Sequence, residues 1–205
     1  MNYTQLLDAV QATVQNYEGD FVANLPVMVK TAEQRVYNEV QLPAQRQNVV
    51  VNLTSSNPYL TLPSGFLSPY SLAVQLGDGS YAYLLNKDVE YIREAYPPPN
   101  TLGTPKVYAV FDENTIIVGP TPASNFQVEL HYNGYPASIV DAGTSWLGDN
   151  FDSVLLYGTL VEASVFMKAE ADMMAVYEKR FQDALGELKL LAAGKLRTDA
   201  YRAPI

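Results

Sequence analysis

"VYAVFDENTIIVGPTP", residues 107–122, decides how the middle of this chain folds. Two short apolar runs flank Asp112-Glu113-Asn114, and the second stops at Gly119-Pro120-Thr121-Pro122. Apolar runs of this length around a polar turn predict a β-hairpin, and the Gly-Pro pair predicts a hard stop. Nothing in the stretch can do chemistry. Immediately after it, "FQVELHYNGYP" (126–136) alternates Phe126, Val128, Leu130 and Tyr132 with Gln127, Glu129 and His131. Period-two alternation predicts a strand with one wet face, and His131 falls on that face.

Moving outward toward the N-terminus, "KDVEYIREAY" (87–96) predicts a short helix stopped by three prolines at 97–99. "YSLAVQLGDGSYAYLLN" (70–86) predicts a hairpin turning at Gly77-Asp78-Gly79. "NVVVNLTSSNPYLTLP" (48–63) predicts two strands around Ser-Ser-Asn-Pro. The whole span 47–136 therefore reads as β structure.

On both sides of it the period changes to that of a helix. Leu6, Leu7, Val10, Val14 and Tyr17 predict a helix over 4–17, broken by Glu18-Gly19-Asp20. Phe21, Leu25, Val29, Ala32, Val36 and Val40 predict a second over 21–41, capped by Asp20, with Pro26 near its start and Leu42-Pro43 at its end. Lys30, Glu33, Arg35 and Glu39 lie mostly off that stripe and read as a solvated face. From 147 a helix capped by Asp149 or Asn150 is apolar on most faces, which predicts a central position; Gly158 in it predicts close approach of another backbone. Tyr177, Phe181, Ala184, Leu188 and Leu191 predict a last helix over 173–193 packed along a partner and ended by Gly194. The expected fold is α+β. A bundle of four main helices (1–45 and 147–194) carries an inserted antiparallel β domain (46–146), followed by an extended C-terminal tail (195–205).

Composition narrows the function. Of 205 residues, 17% are charged, below the roughly 25% of average chains. The 15 Tyr against 7 Phe supply polar-tipped aromatic surface of the kind that suits contacts, although Tyr is also a good strand former. A net charge of -9 argues against an outer face that grips nucleic acid, but is compatible with a wall past which DNA slides. The absence of cysteine removes disulfides, thiolate nucleophiles and cysteine metal sites. Any histidine-based metal site or relay would rest on His131 alone. "MNYTQLLDAVQ" lacks the pattern of a signal peptide, and no apolar run has the ~20 residues of a membrane span. Synthesis in a cytoplasm-like compartment is expected, with no membrane partner, and "NLT" at 52–54 reads as an accidental glycosylation match.

The chain is poor in catalytic groups. No phosphate loop, no HExxH, no Gly-x-Ser-x-Gly and no calcium loop is present. Glu90 with Glu94 and Asp149 with Asp152 are the carboxylate pairs that could run glycoside hydrolysis. The first sits in a charged helix and the second at a helix start, where acids suit the dipole anyway. Tyr81, Tyr83, Tyr108, Tyr132 and Tyr135 could line an aromatic platform for sugar. A polysaccharide-acting enzyme and a carbohydrate-binding module are thus the alternatives to a structural part. The expected catalytic, metal and cofactor sites are none.

Five segments carry a resemblance: "FVANLPVMVKTAEQRVYNEVQLPAQRQNV" (21–49), "YLTLPSGFLSPYSLAV" (59–74), "YLLNKDVEYIREAYP" (83–97), "GPTPASNFQVELHYNGYP" (119–136) and "SWLGDNFDSVLLYGTLVEASVFMKAEAD" (145–172). In that order and spacing the chain resembles the head-to-tail adaptor (neck, connector) proteins of short-tailed bacteriophages, over about residues 3–202. The resemblance implies a non-catalytic virion protein, made in the host bacterial cytoplasm. It implies a ring, usually of twelve copies, under the portal protein. Such a ring joins the portal to the tail nozzle protein, often carries tail fibres, and surrounds the channel through which DNA leaves. It also implies that the C-terminal segment docks on the portal. In "KLRTDAYRAPI" (195–205) the residues expected to bind are Lys195, Arg197, Thr198, Tyr201, Arg202 and Ile205.

Overall fold

The computed structural model describes residues 1–97 and 101–195. It is α+β, with seven α-helices and ten strands among the described residues and sheets that are mostly antiparallel. The Cα positions separate two units, Met1–Gln45 with the chain from Pro136 on, and Arg46–Tyr135.

The first unit is helical. α1 (Tyr3–Val14) starts at a capping box: the Asn2 side chain accepts from the Gln5 N–H and the Gln5 side chain accepts from the Asn2 N–H, each at 2.9 Å. α2 (Gly19–Glu39) begins before the expected Asp20 cap, which instead lies in its first turn. Pro26 is inside α2 rather than near its start, at the cost of one ladder hydrogen bond. A short α4 (Ile139–Ala142) precedes α5 (Trp146–Asn150), whose cap is Ser145, accepting the Gly148 N–H at 3.1 Å. The expected caps, Asp149 and Asn150, lie within α5. The chain breaks at Phe151 before the long α6 (Asp152–Phe166).

α6 packs against α1, α2, α5 and α7 (Ala171–Lys195), so its apolar faces are covered as its composition requires. Gly158 is the point of closest approach. A Cβ there would meet Phe181 at 3.1 Å and the Ala32 Cβ at 3.2 Å, so the neighbours are side chains of two helices rather than a backbone. Along α7 the buried positions are Tyr177, Phe181, Ala184, Leu185, Leu188 and Ala192, while Leu191 is exposed. The expected stripe drifts because alternating steps of four and three fit 3.5 residues per turn, and a straight helix has 3.6. α7 also runs one residue past Gly194, to Lys195.

Glu33 departs most from the sequence expectation. It is 2% exposed, not part of a solvated face, and its Oε1 accepts the Ile139 N–H at 3.0 Å. With the Ser138 cap, that bond fixes the start of α4. Residues 136–146 therefore belong with the helices, whereas the sequence reading placed them with the strands.

The second unit is a sandwich of two four-stranded sheets. The first is ordered β1 (Arg46–Leu53), β10 (Phe126–Gly134), β3 (Phe66–Gln75), β4 (Tyr81–Tyr83), all antiparallel. The second is ordered β2 (Tyr59–Thr61), β8 (Thr115–Gly119), β7 (Val107–Asp112), β5 (Leu85–Asn86). The two hairpins read from the sequence are β3–β4, turning through Gly79 at φ 84°, and β7–β8. Strand alternation on β10 puts Val128, Leu130 and Tyr132 into one core with Leu72, Val74, Ile116 and Val118. Burial of each aliphatic side chain there contributes about 1.5–3 kcal/mol. On the outer face of the second sheet, α3 (Val89–Ala95) packs Ile92 against Val107, Ala109 and Ile117. The β region is not wholly antiparallel: β5 runs parallel to β7, and β6 (Leu102–Gly103) parallel to β9 (Thr121–Pro122).

Candidate interaction surfaces

Three of the apolar side chains that the β unit presents to solvent lie where the strand register slips. Pairing of β10 with β3 slips twice. His131 faces Ser71 but Tyr132 faces Pro69, and Asn133 faces Ser68 but Gly134 faces Phe66. Tyr70 and Leu67 are the residues left over. Pairing of β7 with β8 slips once, between Val110 and Asp112, and leaves over Phe111. A bulged residue has no cross-strand neighbour to cover it, and the bulge re-aims its side chain. All three are exposed: Leu67 at 47%, Tyr70 at 56% and Phe111 at 43%.

Both bulged aromatics carry an arginine. The Arg46 guanidinium lies 4.7 Å from the centre of the Tyr70 ring, and that of Arg93 lies 5.8 Å from the centre of the Phe111 ring. These distances are within cation–π range. Arg93 also donates to the Tyr59 hydroxyl at 2.8 Å, and Tyr59 meets Phe111 edge-on at 5.4 Å. Neither arginine has a carboxylate within ion-pair distance among the described residues. Arg46 and Tyr70 border a depression of about 320 Å³ shared with Gln47, Asn48, His131 and Tyr132. There the Tyr132 hydroxyl donates to Gln47 at 2.8 Å, and His131 Nε2 lies 3.4 Å from Glu129.

In the helical unit Arg180 likewise lies on a ring, that of Tyr157 at 5.5 Å, whereas Arg35 is neutralised. Arg35 is paired with Glu178 at 2.6 Å while stacking 4.6 Å over the Phe181 ring. Burial raises the Glu178 carboxyl, but hydrogen bonds from Arg35 and Gln182 and the Arg35 charge outweigh it and set it below its ordinary value. At Glu33, burial dominates and raises the carboxyl despite its hydrogen bonds to Ser138 and Ile139. Tyr37 is likewise raised, by burial first and the Glu33 charge second. Exposed apolar side chains of this unit include Tyr17, Val165, Phe166, Met173, Val176 and Leu190.

The structure disperses the sequence-level candidates. Glu90 and Glu94 are both exposed on α3 beside Arg93. Asp149 lies in α5 and Asp152 in α6, on opposite sides of the break at Phe151, so they are not one turn apart on one helix. The five tyrosines do not make one platform. Tyr108 and Tyr132 alternate into the sandwich core, where burial raises the Tyr108 phenol, while Tyr81 and Tyr83 stand out on β4. His131 is half-buried beside Glu129 on the outer face, as the alternation predicts. Of the C-terminal candidates, Lys195 is the last residue of α7; Arg197, Thr198, Tyr201, Arg202 and Ile205 lie outside the described residues. Among the described residues no group of acidic and histidine side chains is arranged to hold a metal ion, and no helix is long and apolar enough to cross a membrane.

Sequence reasoning missed the arginine–aromatic pairs. One signal for them was present: Pro69 within "FLSPYSLAV" cannot donate to a ladder, and a proline inside a strand marks a bulge or an edge.

No curated protein matches the chain. Among protein-family models, that of the SU10 adaptor protein matches residues 1–205, the full length of the sequence. The chain therefore belongs to the SU10 adaptor protein family, and is a structural adaptor component of a bacteriophage virion.

Proposed function

We propose that the chain is the neck adaptor between a phage head and its tail. The observation that carries this reading is the family match over all 205 residues. About twelve copies form a ring beneath the portal protein and join it to the tail nozzle protein and to tail fibres. The four longer helices act as one bundle, and the β unit is a domain inserted into it. Each copy must offer two different faces to its neighbours. The exposed apolar side chains of both units support such a role, since a monomer with one closed surface has little use for them. The net charge of -9 supports a channel wall that DNA passes without adhering.

The C-terminal segment 195–205 is the portal anchor, through Lys195, Arg197, Thr198, Tyr201, Arg202 and Ile205. Ordering a short segment costs entropy, and contacts made by many copies at once offset it. Co-sedimentation with portal rings tests the anchor. Deleting 195–205 leaves a folded chain that no longer sediments with the portal; retention at unchanged affinity rejects the assignment. The geometry favours no second reading, because all four carboxylates of the two pairs are exposed and Tyr108 and Tyr132 face the sandwich core while Tyr81 and Tyr83 face solvent.

A further inference from the structure

We infer that Arg46 on Tyr70 and Arg93 on Phe111 are preformed receptors for carboxylates of a second copy of this chain, an inference that rests on the ring reading above. A guanidinium lying on an aromatic ring is fixed in orientation, and the in-plane N–H donors not already used (Arg93 gives one to Tyr59 at 2.8 Å) can grip a carboxylate in two-point fashion. Arg46 and Arg93 are the two arginines of segment 46–135, and both are in this state. Neither is neutralised among the described residues, in a chain with 22 acidic residues.

Each arginine sits on a residue that a register slip has put forward, so cation and apolar ring are presented together. A buried aromatic and an arginine make the usual centre of a protein contact.

Segments 1–45 and 136–195 hold fourteen acidic residues against seven basic ones. The acidic surface that could satisfy the arginines is thus abundant in the helical unit of another copy. Such a pairing joins unlike faces, as a ring requires. A partner of other chemistry, such as a free acidic sugar, would leave the ring intact when the arginines are removed.

The test is native mass spectrometry of the full chain, alone and with portal rings, as wild type, Arg46→Ala, Arg93→Ala, the double alanine variant and Arg46→Lys. All of these variants change exposed side chains only, and circular dichroism checks that each is folded. The expected result is a wild-type ring, and at least a tenfold higher concentration for half-assembly in each alanine variant. Arg46→Lys falls between, because lysine keeps the charge without the fork. Raising salt weakens wild-type assembly more than that of the double alanine variant. If the wild type forms rings and the alanine variants do so at the same concentration, the receptors are wrong while the ring stands. If the wild type forms no ring under either condition, the ring reading fails and this inference falls with it.

Discussion

Glu33 in α2 and Ile139 in α4 are 106 residues apart in sequence, and the Glu33 carboxylate accepts the Ile139 N–H at 3.0 Å. Two distant parts of the chain are thereby tied inside the helical unit. Glu33→Ala leaves a buried N–H without its acceptor and opens a void. An expected loss of about 1–3 kcal/mol follows from the unsatisfied donor. Glu33→Gln keeps an acceptor oxygen and costs less. Urea unfolding followed by circular dichroism measures both.

The same residue makes stability depend on pH. Its carboxyl is raised by burial, so the folded chain holds that proton more tightly than the unfolded chain. The stabilisation is fully present below the ordinary carboxyl value of 4.5 and is lost as pH rises through the raised one. Glu33→Gln does not titrate. Its stability relative to wild type should therefore climb as pH rises from 4.5 and then level off. Glu178, held low by Arg35, acts in the opposite sense: its contribution is present above 4.5 and lost as pH falls through its lowered value. Glu178→Gln should accordingly flatten the acid side of the stability curve. Parallel curves for wild type and Glu33→Gln between pH 4 and 8 would contradict the burial argument.

Gly158 gives a prediction against helix propensity. Gly→Ala inside a helix ordinarily stabilises by roughly 0.5–1 kcal/mol. Here the new methyl meets Phe181 at 3.1 Å and the Ala32 Cβ at 3.2 Å. Phe181 is fully buried under Arg35, and Ala32 cannot yield without moving α2. Gly158→Ala should therefore lower stability, by about 1–2 kcal/mol, and Gly158→Val by more. A higher melting temperature for Gly158→Ala would show that the helices separate easily.

The bulged residues should behave as surface for folding and as contact for assembly. Tyr70→Ala and Phe111→Ala are expected to change monomer stability by no more than about 0.5 kcal/mol. Leu130→Ala, in the sandwich core, should cost about 2–5 kcal/mol. Equal losses in all three would place Tyr70 and Phe111 in the core.

Much of the fold could be read from the sequence where one period rules a segment. Strict alternation in Phe126–Gly134 gave strand, face and the position of His131, and the Gly77–Gly79 turn gave its hairpin. Segments governed by contacts with distant residues were not legible. Glu33 lies between Lys30 and Glu39, which do face solvent, and its burial is met by distant partners, Ser138 and Ile139. Phe151 splits one apolar run into α5 and α6, and nothing local marks the break, because Ser145 rather than Asp149 supplies the cap. The surfaces were hardest to see. Tyr70, Leu67 and Phe111 emerge from register slips, and register depends on the partner strand. Pro69 alone hinted at one of them.

The central claim is that this chain assembles as a ring on the portal. Native mass spectrometry of the full chain, alone and mixed with portal rings of the same phage, tests it most directly. The account predicts a species of portal plus about a dozen copies when the two are mixed. A chain whose mass is unchanged by the portal at every concentration would contradict it.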